Sequence, residues 1–202
     1  MPIDNSMSKF EIRSYPFANL RVDTQGDRPV IRGTAVVFNS LSVDMGGWRE
    51  IILPGAFTDT LADGHDIKAL VEHDPKNILS RTGNGTLKLI QTDLGVEFET
   101  PLPNTSYAND LAENLRLENV YQCSFGFDYV DKQVRSDPAG PVVEVRSAIL
   151  YEISMVTFPA YPASDVSMRS FVEAWKQEQG RPIGTPNLDR AKRLMQILDA
   201  EA

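Results

Sequence analysis

The sequence is poor in the groups that metal and redox chemistry need, with one cysteine and two histidines in 202 residues. A single cysteine cannot close an internal disulfide, which fits a reducing compartment. His65, His73 and Cys123 are scattered without the spacing of a zinc site, so neither metal nor cofactor is expected. Basic residues are outnumbered, 20 Lys and Arg against 28 Asp and Glu, giving a net charge of −8. That balance excludes a large nucleic-acid footprint, which requires a basic stripe. No apolar run is long enough for a bilayer crossing, and residues 1–6 lack the basic and apolar regions of a signal peptide. The glycines form neither a phosphate cradle nor a dinucleotide-binding pattern. The expectation is a soluble, intracellular protein with one solid core.

What the sequence does contain is strand signal. Residues 31–38 are rich in β-branched side chains and end at Asn39-Ser40; residues 48–53 form a second run, stopped by Pro54-Gly55. Residues 56–62 suit a short helix. Ile67, Ala69, Val71 and His73 alternate with Lys68, Leu70 and Glu72, the period of a strand, and Asp74-Pro75 closes it. Asn84-Gly85 between residues 78–82 and 86–91 predicts a two-residue hairpin, because that turn needs positive φ. Asp93-Leu94-Gly95 then turns the chain into residues 96–100, as in a meander. Tyr107, Leu111 and Leu115 recur at helical spacing, with Asn104 or Thr105 as N-cap and Asn119 as the stop. Residues 132–141 read as an exposed polar loop, and strand character returns over 142–157. After Ser170 the composition changes to a helical stretch, a Gly- and Pro-bearing linker at 180–187, and a final helix striped by Leu188, Ala191, Leu194, Met195 and Leu198. Residues 1–170 are therefore expected to form one domain, and 171–202 a linker and helical tail.

Three islands carry a histidine, a serine and a carboxylate: Leu70 to Pro75, Gln122 to Phe127, and Leu150 to Pro162. A hydroxyl becomes a nucleophile when a base takes its proton and a third group fixes that base. The elbow of the α/β-hydrolases is absent, since Gln122 stands where Gly-x-Ser-x-Gly needs its first glycine. Pleat parity puts Cys123, Phe125, Phe127 and Tyr129 on one face and Gln122, Ser124, Gly126 and Asp128 on the other. The aromatic face is core, so Ser124 points away from it, beside a glycine that leaves space. The same pattern also fits a serine on the wet face of an amphipathic strand, and Cys123 reads as a small buried hydrophobe. His73 is the stronger base because His65 sits in a polar, turn-like cluster, although a strand-end histidine bonded to Asp74 fits the spacing equally. Glu152 shares a face with Leu150, Ser154 and Val156, where a carboxylate needs a partner: Arg146 or the His73 imidazole.

In these residues the chain resembles the prohead maturation proteases of tailed bacteriophages. The resemblance spans roughly residues 10–169. It rests on Gly33 to Asn39, Trp48 to Phe57, Val71-Glu72-His73-Asp74-Pro75 followed by Leu79 to Gly83, Ser124-Phe125-Gly126-Phe127, and the run Tyr151 to Pro162. It implies a triad of His73, Ser124 and Glu152. The fold it implies is mostly β with surrounding helices, a closed or nearly closed antiparallel β-barrel of the herpesvirus-protease type. Its implied function is a serine endopeptidase inside the immature capsid, in the host cytoplasm. There it would cut scaffold segments from the major capsid protein and then itself, as a homo-oligomer such as a dimer. Chain order suggests Phe158, Ala160 and Tyr161 for the oxyanion hole, with Arg81 nearby. The rivals are a non-catalytic assembly chaperone that retains the fold, and an esterase or amidase on the same scaffold.

Overall fold

The computed structural model describes residues 10–15, 19–24 and 26–158. The expected C-terminal helices, their linker and the domain boundary near residue 170 lie outside the described residues. Within them, ten strands fall into two sheets. The larger is ordered β1 (Glu11–Tyr15), β9 (Gln122–Arg135), β10 (Val142–Val156), β5 (Lys68–Val71) and β6 (Asp74–Arg81), with β4 (Arg49–Ile52) also paired to β10. The smaller is β2 (Arg21–Asp23), β3 (Val30–Val37), β8 (Gly95–Pro101) and β7 (Lys88–Gln91). The expected mostly-β fold is present, but the closed or nearly closed barrel is not found among the described residues.

The long hairpin of β9 and β10 organises the larger sheet. One edge of β10 is taken by β9, antiparallel; the other takes β4 along Val142–Val145 and β5 along Glu152–Met155, both parallel. Phe125 and Phe127 project from β9 into the core, where Phe57, just ahead of the short helix α1 (Thr58–Ala62), meets both edge-on. The core continues through Ile31 and Val36 of β3 and Val96 and Phe98 of β8. It is closed by Ala108, Leu111 and Leu115 on the inner face of α2 (Ser106–Arg116). The sequence spacing of Leu111 and Leu115 predicts that face, and Thr105 is the N-cap residue, though without a side-chain capping bond.

Several local expectations change. Of the expected meander only the second hairpin forms, as β7 pairs with β8 through the turn at residues 93–95. Asn84-Gly85 makes no hairpin: residues 82–84 form a 3₁₀ turn, Gly85 takes φ 73°, and the chain passes from the larger sheet to the smaller. Only Gly85 takes the positive φ that the expected turn required, Asn84 belongs to the 3₁₀ turn, and the flanking strands found other partners. The polar stretch 132–141 is strand as far as Arg135, where pairing with β10 overrides composition. The strand through His73 ends at Val71, and Asp74-Pro75 opens the next strand rather than closing the first.

Candidate active site

His73 lies in a hairpin turn. Val71 pairs with Asp74, and the two residues between them, Glu72 and His73, have φ 53° and 57°. Positive φ at both central positions is the habit of the tight hairpin turn that Asn and Gly normally fill. For two side-chain-bearing residues it costs about 1–2 kcal/mol each. Three bonds to the end of β10 hold the turn in place. The Glu72 N–H donates to the Met155 carbonyl at 3.0 Å, and the Thr157 N–H donates to Glu72 Oε1 at 2.6 Å. The His73 N–H donates to Ser154 Oγ at 3.2 Å.

Glu152 reaches the imidazole because β10 is irregular. Leu150 pairs with Phe127 and Glu152 with Gly126, so Tyr151 is an extra residue. A bulge of this kind reverses side-chain phase. Leu150 faces the core before it and Ile153 and Met155 after it, which frees Glu152 and Ser154 for the opposite face. The expected common face of Leu150 and Glu152 is thereby corrected. Glu152 Oε1 lies 2.8 Å from His73 Nδ1, while Oε2 accepts the Ser154 hydroxyl at 2.6 Å. The partner left open by the sequence is thus His73; Arg146 faces Glu144 instead, at 3.8 Å. An ionised carboxylate only accepts, so His73 Nδ1 donates to Glu152 and Nε2 is the second ring nitrogen. That atom is buried and has no hydrogen-bond partner among the described residues.

Ser124 sits on β9 directly across from Ser154, and two residues before Gly126, the partner of Glu152. Directly opposed residues share a sheet face, so serine and carboxylate are on the same side, opposite Phe125 and Phe127. Neither an open groove nor a wet face is found: Ser124 is 0% exposed. Its hydroxyl donates to the Arg13 carbonyl of β1 at 2.8 Å, so it is not on His73. The Phe10 ring lies on Gly126, next to Glu152.

The same Arg13 is buried against Glu50. Its Nε donates to Glu50 Oε1 at 2.9 Å, its Nη2 to Tyr129 Oη at 2.9 Å, and the Tyr129 hydroxyl donates to Glu50. Burial opposes the guanidinium charge, but Glu50, Tyr129 and Glu11 outweigh it and hold Arg13 above its usual range. Burial, then Glu50, pushes the Tyr129 phenol up.

The remaining expectations divide. Cys123 is buried in the core, and its burial and then the Glu152 charge push the thiol up, the opposite of an activated nucleophile. His65 stands apart from Glu152, 3.6 Å from Asp63 and edge-on to Tyr151. Arg81 is committed to Asp66, with Nε to Oδ1 at 2.9 Å, and that bond holds the Asp66 carboxyl below its usual range. Phe158 is 54% exposed, while Ala160 and Tyr161 lie outside the described residues. Sequence reasoning gave Ser154 no part; its only signal was parity with Glu152, two residues away.

Residues 17–178, most of the chain, match the family described as Caudovirus prohead serine protease. The chain belongs to that family. Membership makes it a serine protease of bacteriophage capsid maturation. The structure of the bacteriophage T4 capsid assembly protease, gp21, is similar in fold, with a TM-score of 0.51 over 73% of this chain and 97% of that one. At 8% identity this likeness concerns the fold alone. No curated protein sequence matches significantly. Like other tailed-phage prohead proteases, this chain would work on a protein shell, which its acidic charge does not hinder. No helix among the described residues is long and apolar enough to cross a membrane.

Proposed function

We propose that this prohead protease is an endopeptidase in which Ser124 is the nucleophile, His73 the general base and Glu152 the group that orients it. The observation that carries the reading is the His73–Glu152 bond, which leaves Nε2 without a partner among the described residues. In the resting arrangement the Ser124 hydroxyl is parked on the Arg13 carbonyl. Rotation about its Cα–Cβ bond would release it toward Nε2. His73 would then take the hydroxyl proton as Ser124 Oγ attacks the scissile carbonyl, and return it to the leaving amine. Glu152 would stabilise the imidazolium formed in between. Backbone N–H groups at Phe158, Ala160 and Tyr161 remain the proposed oxyanion donors; the Thr157 N–H is already held by Glu72.

The proposed substrates are the scaffold segment of the major capsid protein and the protease itself, met inside the prohead, with the active form a homo-oligomer. The Gly180–Asn187 linker and the helices around it, proposed as a tail beyond a domain of residues 1–170, would be the self-cleavage region. Co-expression with the capsid protein of the same phage, followed by mapping of new termini, tests this. Ser124→Ala should remain folded while capsid cleavage and tail loss cease. Serine-protease nucleophile loss costs on the order of 10⁶ in turnover. One observation favours the rival, a non-catalytic assembly chaperone: the complete burial of Ser124 and its bond to Arg13. Under that reading wild type and Ser124→Ala would leave identical termini.

A further inference from the structure

We infer that Ser154 is a positioning residue that sets both the orientation and the basicity of the His73–Glu152 pair. The inference rests on the triad reading above, and extends it to a side chain that takes no part in the bond-making steps of the mechanism. Ser154 is 0% exposed, so its hydroxyl has no water to turn to. It has one proton to give and gives it to Glu152 Oε2 at 2.6 Å. Its oxygen accepts the His73 backbone N–H at 3.2 Å. A single hydroxyl thus grips the carboxylate by the oxygen that the imidazole does not use, and grips the histidine by its main chain.

Both grips are needed for physical reasons. His73 is at φ 57° beside Glu72 at φ 53°, a backbone state that side-chain-bearing residues leave readily unless they are held. The Ser154 bond is a tie placed on His73 itself; the other two hold Glu72. Glu152 can present Oε1 to Nδ1 in one plane only while Oε2 is fixed, which restricts rotation about its last side-chain bond. The donated proton also withdraws part of the carboxylate charge. Without it, the carboxylate keeps more of its charge and attracts the imidazolium more strongly. The other titratable groups near the pair are Glu72 and Asp74 in the same hairpin, Cys123 on β9, and Lys68 of β5, the register partner of Glu152, whose ammonium is engaged by Asp66. None bonds to the Ser154 side chain, so a Ser154 substitution leaves their covalent charge set unchanged.

The test uses the full chain in two backgrounds. In the active enzyme, Ser154→Ala should lower kcat by about 10–100-fold, the loss expected from a misplaced catalytic group, with KM within about twofold. The acid limb of its pH–rate profile should move up by about one pH unit, the size of a lost hydrogen bond to a charged group. Ser154→Thr, which keeps the hydroxyl, should restore the limb to its wild-type position. In the Ser124→Ala background, where no turnover is needed, the His73 imidazole is followed by NMR, with His65 as internal reference. Adding Ser154→Ala should shift the His73 midpoint upward and leave His65 in place. Ser154→Cys, of nearly the same volume, serves if alanine unfolds the protein. An unmoved His73 midpoint in a folded variant overturns the inference, as does a kcat loss with the acid limb unshifted. A shifted midpoint together with a Ser124→Ala protein that still cuts would overturn the triad reading and leave Ser154's hold on the pair standing.

Discussion

Adding one methyl group at Gly126 should disable the site while leaving the fold in place. A Cβ built there would stand 2.7 Å from Glu152 Oε1, and 2.2 and 2.8 Å from two atoms of the Phe10 ring, all below the 3.0 Å that real Cβ atoms respect. Phe10 is half exposed and can swing into solvent at little cost. Glu152 has no such exit, since Oε2 is held by Ser154 and Oε1 by His73. To regain ordinary van der Waals contact the carboxylate must retreat by about half an ångström or more. The 2.8 Å bond to Nδ1 is the contact that stretches. A misplacement of about 1 Å at a catalytic group costs roughly 10²-fold in rate, and complete loss of the orienting carboxylate about 10⁴-fold. Gly126→Ala should therefore fall between those limits in kcat. The overpacking should cost about 1–3 kcal/mol of stability. Urea unfolding and single-turnover cleavage of a capsid-derived peptide measure the two effects. The double variant Phe10→Ala with Gly126→Ala separates the causes, because it removes the ring clash and keeps the carboxylate clash. If the double variant recovers wild-type turnover, Phe10 carried the effect and the displacement of Glu152 is refuted.

His73→Ala should be inactive near neutral pH and His65→Ala close to wild type, a comparison that a peptide-cleavage assay decides directly. Glu152→Gln keeps the shape of the side chain but loses the charge; turnover should fall by about 10⁴-fold, less than for loss of Ser124. Cys123, with its thiol pushed up by burial, should resist iodoacetamide in the native protein at about pH 8.5, where a free thiol is half ionised, and react fully in urea; rapid native alkylation would contradict its place in the core. Arg13→Ala strands the buried Glu50 charge and should cost about 3–5 kcal/mol in urea unfolding, whereas Arg13→Met combined with Glu50→Leu should cost clearly less.

The contrast between what could and could not be read from the sequence has a physical cause. Phe125 and Phe127 alternate through a regular stretch of strand, so parity alone placed Ser124 on the face away from the core. Leu111 and Leu115 recur at helical spacing and marked the inner face of α2. Glu152 broke the same rule, because parity counting from Leu150 assumes one residue per ladder step and Tyr151 adds one. A bulge leaves no mark in composition; Tyr151 has strong strand propensity and looks like any other step. The turn at Glu72-His73 was hidden for the opposite reason. Its backbone state is usually announced by Asn or Gly, and here side-chain-bearing residues occupy it because bonds from Ser154, Met155 and Thr157 hold them there. Both irregularities act on one contact: the bulge turns the carboxylate away from the core, and the turn swings the imidazole onto it. A regular β10 would point Glu152 among the core side chains, where an unpaired carboxylate is costly. A β5 extended through His73 would carry the imidazole along a strand instead of back over β10. The residues of the candidate site were singled out by the family resemblance, since pattern alone left Ser124 open to a wet strand face and His73 to a strand end. Their meeting was not legible, because it depends on two departures from strand geometry that only tertiary contacts make stable.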